Sequence, residues 1–359
     1  MKKEILFSYF PKATVKRYQQ LITVFGNLDK AWQADSEILK KTGWEEKVIQ
    51  EFLNWKNKID EEKITKILQQ ENIYCLTRDD ENYPELLKQI YDPPFCLFVR
   101  GNLDMIKFPI AVVGTRKFTN YGQQITEEIV SQLAQQGITI ISGLALGIDS
   151  IAHNATIEAG GKTIAVLGTG INKKHIYPAA HYQLSEKIIA SGGALISEYP
   201  PGALPSKYSF PRRNRIIAGL SVGTLVIEAP EESGSLITAQ YALDNNREVF
   251  AIPQNITSIN STGVNNLLKN GAHLITQAED ILEVLNLEKI KEFIDNQEII
   301  PDSPTEAKIL EILTKEPIHI DVITKKTQLD SSTVNATLAL MEMKGKVRNL
   351  GGMNYILGR

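Results

Sequence analysis

Short apolar runs alternate with longer amphipathic stretches through the middle of the chain. The runs are PIAVVGTR (109–116), ITIISG (138–143), TIAVLGTG (163–170), ALISEY (194–199), GTLVIEA (223–229), EVFAIP (248–253) and HLIT (273–276). Their apolar stretches are not interrupted by polar positions, as expected of strands covered on both faces; a half-exposed strand would alternate. Between most of them lie segments such as NYGQQITEEIVSQLAQQG and GSLITAQYALDNN, whose apolar positions recur at helical spacing. This alternation predicts an α/β fold built on a doubly wound parallel sheet. A less regular lead-in, IYCLTRDDENYPELLKQIYDPPFCLFVRGNL, is expected to add an edge strand at CLFVRG.

The flanks have a different texture. Residues 1–70 are helical and polar, with Gly26 and Gly43 as punctuation, and predict a small bundle of short helices. Residues 71–285 hold the alternating pattern, and 286–303 are charged and proline-containing, which predicts a linker. Residues 304–359 then read as a helix (TEAKILEILTK), a short helix (IDVITKKTQ), a longer helix (DSSTVNATLALMEMKG) that Asp330 or Ser331 can cap, and a hairpin-like KVRNLGGMNYILGR. Helix-turn-helix followed by a hairpin is a winged-helix pattern.

Composition narrows the chemistry. The 359 residues are 43% hydrophobic and 23% charged, ordinary for a globular protein of two or three domains. A net charge of −3 excludes a global basic field, so any anion site is a local concentration of charge. Cys75 and Cys96 form no CxxC pattern and read as buried thiols of a reducing cytoplasm. The N-terminal MKKEILFSYFPK is too short in apolar residues for a signal peptide, and no apolar stretch is long enough to span a membrane, so a cytoplasmic location away from the membrane is expected. His175, His181, His273 and His319 have no ligand spacing, and no metal is expected.

Ligands of doubly wound sheets bind outside the carboxyl ends of the strands, so the residues just after each strand matter. After the first stand Gly114-Thr115-Arg116-Lys117, after the second Ser142-Gly143-Leu144-Ala145-Leu146-Gly147-Ile148-Asp149, and after the third Gly168-Thr169-Gly170. The fourth leads into KYSFPRRNRIIAGLS (207–221), and the fifth into Ser233-Gly234-Ser235-Leu236-Ile237-Thr238. Glycines let backbone N–H groups approach an anion, and helix N-termini donate to it. Arg116 can fork onto a phosphate, with the Ser235 and Thr238 hydroxyls as further donors. A single loop of this kind is often only turn chemistry; five together, two of them with arginine, predict an anion site.

The stretch 207–221 sharpens the reading. Lys207, Arg212, Arg213 and Arg215 gather where an apolar helix begins, against the partial positive charge of a helix N-terminus. Neither G-x-G-x-x-G nor G-x-x-x-x-G-K-[ST] is present where a dinucleotide or an ATP-hydrolysing loop would need it. A mononucleotide or a polynucleotide backbone remains. Phe210 among these cations fits a base stacked beside a clamped phosphate, worth about 1–3 kcal/mol per base. The alternative makes Phe210 a hydrophobic staple and the arginines a solvated face. Asp149 and His153, at i,i+4, form either an acid–base pair or, the favoured reading, a cap and a packed ring.

GTR, SGLALGIDSIAH, GTGINKKHIYP, SEYPPG, FPRRNRIIAGLS and SGSLITAQYALDNNREVFAIP, in that order, closely resemble the DNA-processing protein A (DprA/Smf) family over residues 75–285. The N-terminal helices resemble its sterile-alpha-motif-like or helix-hairpin-helix extension, and the tail its winged-helix appendage. The resemblance implies an extended Rossmann-like domain that binds single-stranded DNA in a basic pocket, forms a homodimer, and loads RecA onto the strand in natural transformation and recombination. It implies neither enzymatic activity nor a cofactor. Carried over by motif, Arg116 grips a phosphate, Lys207 pairs with the backbone and Phe210 stacks a base. Arg213 and Asn214 line the same pocket, and Gly234, Ser235 and Thr238 donate from the opposite wall. Gly114, Lys117, Gly143 and Arg212 complete the expected DNA-binding set. Asp149 and His153 are expected to shape the pocket floor.

Two rival readings remain. The lysine-decarboxylase-like (LOG) nucleoside-monophosphate hydrolases resemble this architecture, but their P-G-G-x-G-T-x-x-E ends in a working glutamate. Here Thr238 stands at that position, and Glu198 and Glu228 have no evident partner. The other reading gives DNA binding to the tail. Its SSTVNATLALMEM helix carries no Lys or Arg before Lys344, so a protein-contact or accessory role is expected. Segments 235–246 and 256–270 are candidate dimer surfaces.

Overall fold

The computed structural model describes residues 1–104, 106–285, 303–313, 317–343 and 346–357. The expected linker (286–303) lies almost wholly outside the described residues, as does Lys344. The chain divides into two compact units, residues 1–285 and 286–359.

The first unit opens with six helices: α1 (Lys3–Ser8), α2 (Val15–Phe25), α3 (Leu28–Gln33), α4 (Ser36–Leu39), α5 (Glu46–Lys56) and α6 (Glu61–Gln70). The Thr14, Asn27, Asp35 and Asp60 side chains each accept from a first-turn N–H of the helix they precede. Then come β1 (Tyr74–Thr77), α7 (Glu85–Lys88), β2 (Cys96–Gly101), β3 (Ile110–Val113), α8 (Asn120–Gln135), β4 (Ile140–Ser142), α9 (Ile148–Glu158) and β5 (Thr163–Val166). They are followed by α10 (Tyr182–Ala190), β6 (Ala194–Ser197), α11 (Ser209–Gly219), β7 (Gly223–Val226), α12 (Gly234–Asp244), β8 (Glu248–Ala251), α13 (Thr262–Lys269), β9 (His273–Leu274) and α14 (Ala278–Val284).

The strands make one sheet in the order β1-β2-β6-β5-β4-β3-β7-β8-β9. From β6 to β9 every pair is parallel, an α/β Rossmann-like core. The chain winds outward from β3 through β4 and β5 to β6, then returns to lay β7 on the other side of β3. This makes β3 the switch point, where successive loops diverge and leave a crevice. The lead-in departs from expectation. CLFVRG is not the edge: β2 sits between β1 and β6, antiparallel to both, and Tyr74–Thr77 takes the edge.

Successive residues of each strand point to opposite faces, and the two faces feed two cores. Cys96, Phe98, Ala165 and Leu195 join Leu6, Phe7, Leu21, Ile49 and Phe52 of the N-terminal helices. Leu97, Val99, Ile164, Val166 and Ile196 join Ile216, Ile217, Ala239 and Val264 of the later helices. Each such buried Leu, Ile or Phe contributes about 1.5–3 kcal/mol of transfer free energy. The doubly covered sheet thus holds its strand ends, and the loops leaving them, on a rigid base.

The second unit holds α15 (Pro304–Leu310), β10 (Ile318–His319), α16 (Ile320–Thr327), α17 (Ser331–Met343), β11 (Val347–Asn349) and β12 (Asn354–Leu357). Its three strands pair antiparallel in the order β10-β12-β11, the wing of a winged helix. Strand β10 has no counterpart in the sequence reading. Asp330 caps α17, its carboxylate accepting from the Thr333 N–H at 2.9 Å. Ile309, Ile323, Val334, Leu338 and Met341 form the unit's own core.

Candidate nucleic-acid interface

The loops after β3, β4 and β5 and the start of α11 converge on one cleft. It is lined by Arg116, Gly143, Ala145, Leu146, Tyr177, Pro178, Phe210 and Arg213 and encloses about 40 Å³. That is room for a few waters or part of a phosphate, far below the roughly 300–1,000 Å³ of pockets that swallow a whole ligand.

Each wall has a local cause. Gly114 ends β3 where a Cβ would fall 2.6 Å from Ile148, so only glycine lets α9 sit against the strand and sends the chain toward Arg116. The loop after β4 turns through Leu144, whose φ of 58° is rare for a side-chain-bearing residue. Its backbone is tied down at several points. The Gly143 and Ala145 N–H groups donate to the Asp149 carboxylate at 3.0 and 3.4 Å, and His181 Nδ1–H donates to the Leu144 carbonyl at 2.8 Å. Asp149 is therefore the cap-like anchor of this loop.

Asp149 and His153 are engaged separately. Thr163 Oγ1 donates to the Ile140 carbonyl, so His153 Nδ1 must carry the proton it shares with that hydroxyl at 2.7 Å. Burial, with His181 and Arg213 nearby, drives His153 down to about 3 and keeps the ring neutral. No acid–base pair is formed.

The basic cluster at 207–215 divides into two. Arg215 is buried: its Nη1 and Nη2 donate to Glu198 at 3.0 and 2.8 Å, and its Nε to Asp92 at 3.2 Å. Burial opposes its charge, but these carboxylates hold it above the ordinary arginine value. Arg213 is buried too, its Nη1 donating to the Gly143 and Val166 carbonyls. Burial brings it down to about 10, with Asp149 opposing and Arg116 adding to the drop, so it stays cationic at neutral pH. A Cβ on Gly143 would lie 2.5 Å from this guanidinium; the glycine is what gives it a seat. Only Lys207 and Arg212 reach solvent, so the expectation that the whole cluster faces an anion is corrected.

Of the twelve expected contact residues, the cleft brings together Arg116, Gly143, Phe210 and Arg213. Phe210 is half-buried on the first turn of α11, and Lys207 is exposed just before that turn, its ammonium 5.1 Å from the Tyr208 ring. Arg212 lies with its Nε 3.7 Å from Glu198. Lys117 is exposed, and its carbonyl accepts from Asn260 at 2.7 Å. Asn214 donates to the Gly234 carbonyl at 3.1 Å, tying α11 to α12. The hydroxyls assigned to the opposite wall do not open onto it. Thr238 is 1% exposed, and buried Ser235 shares a hydrogen bond with Ser233, the cap of α12. Their side chains serve the α12 packing instead.

Glu198 and Glu228, expected to lack partners, both have them. Glu198 holds Arg215. Glu228 is fully buried and accepts from the Thr119 N–H at 2.9 Å, the Thr119 hydroxyl at 2.5 Å and Asn260 at 3.3 Å. Both carboxylates are structural ties. The sequence reading missed Tyr177, Ala145, Leu146 and Pro178 as cleft walls. The Tyr177 ring lies 5.2 Å from that of Phe210 at 42° and is 44% exposed. Its only sequence signal was its place in HIYP; no spacing links it to Phe210.

Among the described residues no three potential metal ligands cluster, and no helix is long and apolar enough to cross a membrane. Residues 74–286 match the family described as DNA recombination-mediator protein A, and residues 295–353 match the DprA winged helix domain. The chain is 39% identical over 325 residues to Protein Smf of Escherichia coli, covering 89% of this chain and 86% of that one. It superposes on DNA processing protein A of Streptococcus pneumoniae with a TM-score of 0.67 at 37% identity, covering 79% of this chain and 98% of that one. It also superposes on the Helicobacter pylori DNA processing protein A, a structure described for its single-stranded DNA binding mode. There the TM-score is 0.54 at 30% identity, covering 60% of this chain and 96% of that one. The cleft thus lies in the domain these proteins share, and the chain belongs to the DprA/Smf family.

Proposed function

We propose that this chain binds single-stranded DNA across the Arg116–Phe210 cleft, as a homodimer that delivers the strand to RecA in transformation or recombination, and breaks no bond in it. The observation that carries the reading is the cleft: the exposed Arg116 guanidinium and the Phe210 ring at a mouth too small to enclose a nucleotide, with the buried Arg213 behind them. Cations hold phosphates, and a ring offers its face to a base that only an unpaired strand exposes. The DNA binding of the H. pylori relative supports the same assignment. A nucleotide hydrolase gains nothing from Glu198 or Glu228, both committed to structural partners. Ile256 and Ile259, 88% and 87% exposed in segment 256–270, suit a surface covered by a second copy, and two clefts on one strand raise avidity.

Binding should be salt-dependent, and its phosphate contacts nearly blind to sequence. In a titration across ionic strength, the log–log slope should fall by about 0.7 per phosphate neutralised. Matched duplex should bind more weakly than single strand at every salt concentration. A flat salt response, or preference for duplex, would contradict the proposal.

The winged helix is an accessory module in this reading. Val322 and Leu340 are 42% and 54% exposed on α16 and α17, an apolar surface suited to protein contact. Removing residues 286–359 should leave single-strand affinity within a few-fold of the full chain in a gel shift; abolished binding would move the DNA site to the tail.

A further inference from the structure

Tyr177 is the one large, half-exposed ring of the cleft that gripping a phosphate leaves without a task. Its ring centroid lies 5.2 Å from that of Phe210, and the planes meet at 42°. Both rings line the cleft with Arg116 and Arg213. We propose that Tyr177 and Phe210 form a bent platform that takes two neighbouring bases at an angle to each other, so that the cleft favours strands whose bases are not stacked on one another. The proposal rests on the single-stranded DNA reading of the same cleft and adds a preferred substrate class: flexible, pyrimidine-rich strands.

The geometry leaves few alternatives for a base. Inserting one between the rings needs about 7 Å, twice the stacking rise of 3.4 Å; the rings are closer than that. The side of Phe210 toward Gly168 is closed, because a Cβ there would already lie 2.9 Å from Phe210 Cδ1. Tyr177 is 44% exposed and Phe210 half-buried, so both keep open surface, and their planes are inclined. Bases resting on them cannot remain parallel. In a self-stacked run such as oligo(dA) neighbouring bases are parallel, and that stacking must be broken before they can settle here. Oligo(dT) has little of it to lose, and sequence preferences of this origin follow from stacking strength and strand flexibility.

Tyr177 is also held ready. Ile176 beside it is buried, the Thr169 hydroxyl donates to the His175 carbonyl at 2.9 Å, and the Pro178 carbonyl accepts from the His181 N–H at 2.9 Å. These ties fix the backbone that carries Tyr177, and a segment already held in place loses little freedom on binding.

The test uses the full chain with fluorescently labelled dT12 and dA12 at one salt concentration, read by anisotropy. Wild type should bind dT12 several-fold more tightly than dA12. Tyr177→Ala should lose about fivefold or more on dT12, the lower end of one stacked base, and its dT12/dA12 ratio should move toward one. Tyr177→Phe should keep both, since the face and not the hydroxyl acts. Tyr177→Leu separates a platform from a mere cover over Phe210: it keeps apolar bulk without a π face, so it should behave like the alanine variant. Leucine binding dT12 as wild type does, or wild type binding dA12 as tightly as dT12, would overturn the proposal. Arg116→Ala and Phe210→Ala run alongside. If they weaken binding and Tyr177→Leu does not, this inference falls and the DNA-binding reading stands; if none of them does, the cleft itself is wrong.

Discussion

A chain carrying both Arg116→Ala and Phe210→Ala is expected to bind single-stranded DNA roughly a hundredfold or more weakly than wild type. A charge-assisted hydrogen bond to phosphate contributes about 1.5–3 kcal/mol. Stacking of one base adds about 1–3 kcal/mol. Together they come to about 2.5–6 kcal/mol, each 1.4 kcal/mol being a factor of ten. The two side chains share one cleft, so the single variants need not sum to the double. Folding should be spared, because Arg116 is exposed and Phe210 only half-buried. The check is anisotropy on a short oligonucleotide at fixed salt, with thermal unfolding as control. Loss of Arg116 should also reduce the salt slope by about 0.7, while loss of Phe210 should leave it unchanged. A double variant with wild-type affinity would remove this cleft from DNA binding altogether.

Glu198→Ala is expected to destabilise the first unit by about 3–5 kcal/mol. It strips the bidentate partner from Arg215, whose side chain is 4% exposed, and leaves Asp92, itself 39% exposed, as the carboxylate partner, beside the Arg212 carbonyl at 3.4 Å. Removing one member of a buried ion pair strands the other charge in a medium that solvates it poorly. For a unit of this size each kcal/mol moves the melting temperature by about 2–4 °C, so a drop of around 10 °C should appear in thermal unfolding. Adding Arg215→Met should restore much of the loss, because an apolar side chain of similar volume has no charge to strand. A drop below 1 kcal/mol would place this pair with ordinary surface ion pairs. The two experiments separate the role proposed for Arg116, on the ligand, from that of Arg215, in the fold.

The apolar runs identified the seven parallel strands because all but the edge strand β9 are covered on both faces, and that demand is written locally, residue by residue. Edge position was not legible. CLFVRG looks like an outer strand, yet whether a strand has two neighbours depends on a distant segment, here Tyr74–Thr77, pairing along its free side. The site divides in the same way. Arg116 and Phe210 were identifiable because a loop after a strand and the first turn of a helix are recognisable places. The fates of Arg213 and Arg215 were not, since identical side chains two positions apart reach carbonyls of one pair of loops and carboxylates of another segment. The burial of Ser235 and Thr238 was illegible for the converse reason: a hydroxyl near a helix start looks available until its surroundings are known.

Sequence by itself therefore determined the α/β class, the order of the parallel strands along the chain, the winged-helix tail and the family. These come from periodicity, turn chemistry and motif order, all properties of neighbours in the chain. Tertiary structure alone decided which cations stay free, which carboxylates are already engaged, and that Tyr177 stands against Phe210. Burial and pairing depend on groups brought together from separate loops, and only the folded sheet sets those distances.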